Sequence, residues 1–200
     1  MGTHPSPTIA AALWPVSSSS KGLELARFAA LAVAGALAMT LSAKAQVPFY
    51  PVPLTLQTLV LLLLGATLGW RIAVASIALY MLEGALGLPV FAFTPEKGIG
   101  LAYMAGPTGG FLASYLPAVF LIGWLAERGA ARSVLKLAAV MVLAEIIVFS
   151  MGFGWLSGFI GAQKAWAFGV APFLLPDAIK VALAASLVVG GGTLVRGLRG

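Results

Sequence analysis

Leu174-Leu175-Pro176-Asp177-Ala178-Ile179-Lys180 opens an apolar run that continues, without a single charge, from Val181 to Leu194. Counted from Leu174, the stretch reaches the length of a membrane helix. Asp177 and Lys180 stand three apart, so on a helix they share a face. Pro176 suits the first helical position, where its missing N–H has no partner to lose. An acid and a base are thus held at the mouth of a membrane helix. Ionisable groups at membrane depth are costly and by default mark a functional site with a partner nearby. The alternative is that the two only neutralise each other at the lipid–water boundary, and this stretch leaves both readings open.

The rest of the chain has the same character. Of its 200 residues 60% are hydrophobic and 9% charged, a balance foreign to soluble domains. Six apolar stretches run from Leu23 to Ala43, Leu54 to Gly69, Trp70 to Leu88, Thr108 to Ala126, Val134 to Phe153 and Asp177 to Leu194. The expected fold is an all-α integral membrane protein of six transmembrane helices, with residues 1–20 a mobile tail and residues 21–200 one membrane domain. Gly154–Ala171 carries Gln163 and Lys164 at its middle, a costly place for a lysine in a span. It reads as an outer loop anchored by Trp155 and Trp166.

Charge orients the bundle. With six spans, Lys21, Arg27, Arg71, Arg128, Arg132, Lys136, Arg196 and Arg199 fall on one side, and Lys44, Lys97 and Lys164 on the other. The positive-inside rule assigns the first group, and both termini, to the cytoplasm. The net charge of +6 is therefore spread over loops and does not form a nucleic-acid patch. Cysteine is absent and the single histidine is His4, which removes thiol and histidine chemistry and leaves no metal site to propose. Thr108-Gly109-Gly110 lacks the Gly-Lys-Ser/Thr ending of a phosphate loop and reads as a tight turn, so ATP hydrolysis by that route falls to other chains.

Orientation also suggests a site. The even-numbered helices begin at the outer face, and helix N-termini favour anions. Around them lie the least helical segments, 44–53, 93–100 and 106–110, and irregular backbone at this depth is tolerated where it lines a cavity. Asp177, Lys180, Glu83 and Gln57 fall at the same level. The expected site is an outward-facing pocket for something small that carries a carboxylate. Glu145, near the centre of the fifth span, is expected to be protonated, paired or facing a wet cavity. Ala26, Ala30, Ala34 and Ala38 recur every four residues along the first span, a row that admits a neighbouring helix of this chain or of a partner.

Val47-Pro48-Phe49-Tyr50-Pro51-Val52-Pro53-Leu54-Thr55-Leu56-Gln57, Gly87-Leu88-Pro89-Val90-Phe91-Ala92, Gly106-Pro107-Thr108-Gly109-Gly110-Phe111-Leu112 and Pro176-Asp177-Ala178-Ile179-Lys180 resemble, in order, the BioY family. That family is the biotin-specific S component of energy-coupling-factor (ECF) transporters. The resemblance implies an ECF S-component-like bundle in the bacterial inner (plasma) membrane that captures biotin from outside, needs no cofactor, and works with a transmembrane T component and two ATP-hydrolysing subunits. It implies that Asp177 and Lys180 line the vitamin pocket. Glu83 and Lys97 are the nearest matches to a polar and a basic family residue, Gln57 belongs to the same outer level, and Phe49, Tyr50 and Tyr103 cover the ligand's rings. The alanine row then meets the T component. Two departures stand out: Thr94-Pro95-Glu96-Lys97-Gly98-Ile99-Gly100 replaces a glycine-rich run containing Arg, and Leu175-Pro176 replaces Pro-Gly before the acid. The competing readings are a self-sufficient secondary transporter using Glu145 as proton carrier, and a membrane-embedded enzyme, which the missing histidine and cysteine disfavour.

Overall fold

The structure is a computed structural model that describes residues 21–48 and 50–197, the Arg196 side chain excepted. Expectations for the tail and for Phe49 lie outside the described residues. The chain passes up and down six times, in helices α1 (Lys21–Lys44), α2 (Gln57–Leu68), α3 (Trp70–Ala85), α5 (Gly109–Glu127), α6 (Val134–Ile160) and α8 (Leu174–Gly197). Two short helices, α4 (Gly100–Met104) and α7 (Ala162–Gly169), precede α5 and α8. Among the described residues, 21–44, 109–127, 134–160 and the run 162–195 are long and apolar enough to cross a membrane.

The second pass is the shortest of the six, and its shortness makes the site. Twelve residues of α2 rise only about 18 Å, against a hydrocarbon thickness of about 30 Å. The missing depth is filled by residues 45–56. There β1 (Gln46–Val47) pairs antiparallel with β2 (Leu54–Thr55), Gln46 opposite Thr55 and Val47 opposite Leu54. Prolines 48, 51 and 53 keep this segment out of a helix, since each lacks a backbone donor. Its exposed polar groups are covered by neighbours. At the other end, Gly69 (φ 80°) turns α2 directly into α3, a conformation that favours glycine.

The core is built by close approach as much as by bulk. Ala36, Met39, Leu61, Ile77, Val119 and Met141 are among its buried members. A Cβ on Gly35 of α1 would collide with Ser76 of α3, one on Gly84 with the Phe91 ring, and one on Gly123 of α5 with the Trp70 backbone. Small residues therefore set these contacts, as helix packing in lipid requires. A tight turn at residues 106–109 leads into α5: the Gly109 amide donates to the Gly106 carbonyl at 3.0 Å, and Gly109 and Gly110, the first two residues of that helix, pack on Met104 and Trp155.

Two expectations are corrected. Gly154–Ala171 is not a loop. α6 runs on to Ile160 and α7 follows at once, because residues 154–160 carry no charge and no proline and only Gly161 (φ 79°) breaks the helix. Trp155 still lies at this boundary, donating from Nε1 to the Gly106 carbonyl at 2.8 Å. The last helix starts at Leu174, two residues before Pro176, because a 3-10 turn at Ala171–Phe173 leads into it. Pro176 sits in the first turn, where a donor is still dispensable.

Candidate functional site

Asp177 occupies the fourth position of α8 and is only 3% exposed. Lys180 follows on the same face, and its ammonium meets Asp177 Oδ1 at 2.7 Å. The ammonium also donates to the Thr55 carbonyl at 2.8 Å and to Thr58 Oγ1 at 2.8 Å. An ammonium has three donors, so all three are engaged. Thr58 Oγ1 in turn donates to Asp177 Oδ1 at 3.0 Å. The pair is thus bound to the start of α2 and to β2, the region left open by the short second pass. Asp177 Oδ2 has no partner among the described residues.

This polar corner floors one side of a pocket enclosing about 370 Å³ of free space, part of it open to solvent. The opposite wall is apolar and aromatic: Phe111 and Tyr115 one turn apart on α5, Val148 and Phe149 on α6, and Phe173 in the turn before α8. The Tyr115 hydroxyl makes no hydrogen bond among the described residues. A cavity with an apolar wall and a few converging polar groups is the usual form of a small-molecule site.

The remaining proposed site residues stand elsewhere. Gln57 is buried but turned away, donating from Nε2 to the Tyr80 hydroxyl at 2.8 Å. Tyr80 packs edge-on against Phe91, which stacks on Tyr103, with 5.2 Å between centroids in both pairs. The Tyr103 hydroxyl donates to the Ala92 carbonyl at 2.8 Å. Lys97 lies over the rings of Phe93 at 4.3 Å and Tyr50 at 5.1 Å, and Tyr50 is 74% exposed. Glu83 is half-buried on α3. None of these lines the pocket, whereas Asp177 and Lys180 do. Tyr50, Lys97 and Tyr103 instead gather around residues 91–97, which Lys44 ties to the end of α1 through the Phe91 and Thr94 carbonyls, both at 2.9 Å.

Thr58, Phe111, Tyr115, Val148, Phe149 and Phe173 line the pocket without having been singled out in the sequence. Thr58 carried a signal: on a helix beginning at Gln57 it points about 100° away from that residue. If Gln57 faces the interior of the bundle, Thr58 faces a different neighbour. The aromatic residues carried none, since aromatic side chains recur in every span.

Glu145 is buried on α6, three and four residues before Val148 and Phe149 and so on the same face, deeper in the bundle. Neither of its oxygens has a hydrogen-bond partner among the described residues. Glu145→Met is expected to raise the melting temperature in detergent, because an unpartnered buried polar group costs about 1–3 kcal/mol. A lower melting temperature would mean that the carboxyl is satisfied in the working protein.

The first-helix alanines do not pack inside the chain as a row. Ala26, Ala30 and Ala34 are exposed and Ala38 is half-buried, while the inward face of α1 is Ala32, Gly35, Ala36, Met39, Ser42 and Ala43.

Comparison with known proteins agrees with this architecture. The pattern that defines the BioY family matches residues 15–197. The "Probable biotin transporter BioY" of Pyrococcus horikoshii is 38% identical over 145 residues, covering 72% of this chain and 83% of that one. The "Biotin transporter BioY" of Thermotoga maritima is 35% identical over 144 residues, covering 72% of this chain and 82% of that one. Among solved structures, the S-component for biotin from an ECF-type ABC transporter superposes with a TM-score of 0.74 at 22% identity, over 86% of this chain and 94% of the other, which is a likeness of fold. With a family match spanning every described residue, the chain belongs to the BioY family.

Proposed function

We propose that this chain is the biotin-capturing S component of an ECF-type uptake transporter, set in the plasma membrane with both termini in the cytoplasm. The observation that carries the reading is the Asp177–Lys180–Thr58 corner facing an aromatic wall. Biotin offers two ureido N–H donors, a ureido oxygen, a fused thioether ring and a valerate carboxylate. Asp177 Oδ2, with its partner position open, is the natural acceptor for a ureido N–H. The rings then lie against Phe111, Tyr115 and Phe149, and the Tyr115 hydroxyl is free to donate to a biotin oxygen. Lys180 acts in a different way from a direct ligand contact: with its three donors engaged, it holds the Asp177 carboxylate in place and aimed.

The names of the curated relatives support biotin as the cargo. A hydrogen bond to a charged group contributes about 1.5–3 kcal/mol, and burial of the rings adds about 25 cal/mol per Å². The two together are sufficient for tight binding. No cofactor enters this scheme. ATP is hydrolysed by partner subunits, which are coupled through a transmembrane T component.

Titration of the purified chain with biotin tests the reading, with riboflavin and thiamine as controls. Saturable binding of biotin and not of the other two vitamins is expected. Equal response to all three, or to none, would overturn it. Uptake by this chain alone into ATP-free vesicles would favour a self-sufficient carrier instead.

A further inference from the structure

At the end of the bundle opposite the pocket, five side chains form a continuous ladder of rings closed by a cation at each end. The Arg71 guanidinium lies over the Trp70 ring at 5.1 Å. Trp70 meets Phe120 edge-on at 5.5 Å, and Phe120 stacks on Trp124 at 6.5 Å. The Arg128 guanidinium covers Trp124 at 3.6 Å. The ladder crosses from the start of α3 to the end of α5, and the backbone contact of Gly123 with Trp70 holds the two helices together beneath it.

We infer that this ladder is a binding site for the headgroup and upper acyl chain of one anionic phospholipid. The order of side chains carries the argument. Phe120, Trp124 and Arg128 stand at i, i+4 and i+8, a single stripe rising about 12 Å along α5. That stripe passes from an exposed phenyl ring, through a half-exposed indole, to an exposed guanidinium. A phospholipid seated in a bilayer presents the same sequence of chemistry over the same depth: acyl chain, glycerol interface, phosphate. Indoles prefer the interface, and a guanidinium matches a phosphate with its fork of donors.

The polar commitments of these residues leave donors free for that phosphate. Arg128 spends Nη1 on the Trp124 carbonyl at 3.1 Å. The Arg71 side chain makes no hydrogen bond among the described residues. The acid between them, Glu127, is turned inward, accepting the Trp70 amide on Oε1 at 3.2 Å. Arg132 and Lys136, exposed just beyond, add positive charge to this end without belonging to the ladder.

Native mass spectrometry of the purified chain, after exchange into mixed phosphatidylglycerol and phosphatidylcholine, tests this. One retained phosphatidylglycerol in preference to phosphatidylcholine is expected. In R71Q/R128Q the preference should fall about thirtyfold, the scale for two basic side chains at an anionic surface. R132Q/K136Q, which removes the same charge nearby, should keep most of it. R71K/R128K keeps both charges and should retain part of the preference, which guards against a folding defect in the glutamine pair. No preference in the wild type, an undiminished one in R71Q/R128Q, or an equal loss in R132Q/K136Q would each overturn the assignment. So would loss of the lipid when the chain is assembled with partner subunits, since a protein surface would then be the occupant.

Discussion

Asp177→Asn is expected to weaken biotin binding by about ten- to a hundredfold, the loss of one charge-assisted hydrogen bond, while the protein remains inserted and monodisperse. The substitution keeps the shape of the side chain and removes the charge. An amide offers the ureido N–H a weaker acceptor and turns a donor toward the Lys180 ammonium, 2.7 Å from Oδ1 in the native pair. Lys180→Ala should be at least as damaging for a different reason. It leaves the carboxylate, 3% exposed, without its countercharge, and breaking a buried pair from one side costs about 3–5 kcal/mol. Part of that cost should appear as a lower melting temperature, and Asp177→Asn should share it, since it leaves the Lys180 ammonium, with its side chain 12% exposed, without a carboxylate. The two changes share one network, so the double variant should lose less than the product of the single effects. Isothermal titration of the purified variants separates these outcomes. Unchanged affinity in both would remove the pair from the site.

The pairing of Asp177 with Lys180 was legible because a three-residue spacing on a helix has one geometric meaning. Membrane character and six passes were legible for a similar reason: hydrophobic length is a property of the sequence itself. What escaped was long-range geometry. Gln57 was the polar residue that drew attention, yet its neighbour Thr58 faces the pair, because the direction of α2 depends on how Gln57 finds Tyr80 across the bundle. Lys97, Tyr50 and Tyr103 lie at the level of the pocket in the sequence order but are gathered by the loop at 91–97, which Lys44 and Gln46 hold from the other side. The expectation of a loop at Gly154–Ala171 rested on Lys164. A lysine argues against a span at its position but says nothing against a helix that ends at Ile160 or a short one that carries it.

Ala30→Trp or Ala34→Trp is expected to spare biotin binding and abolish co-purification with the transmembrane partner. Both alanines face away from the fold, whose inner contacts on α1 run through Gly35 and Ala36. A bulky side chain there meets nothing in this chain. Exposed Leu25, Val33, Leu37 and Leu41 stand beside the alanine row as larger neighbours, and a strip of small residues between larger ones lets another helix approach closely. In lipid such fit is decisive, because acyl chains are as apolar as leucine and burial alone gives helices little reason to associate. An indole set into the strip holds a partner helix off along the whole contact, so the loss should be nearly complete. Leu183→Trp on α8, equally exposed to lipid, provides the comparison and should leave assembly intact. Co-purification that survives in the α1 variants, or fails equally in Leu183→Trp, would show that the partner docks on another face.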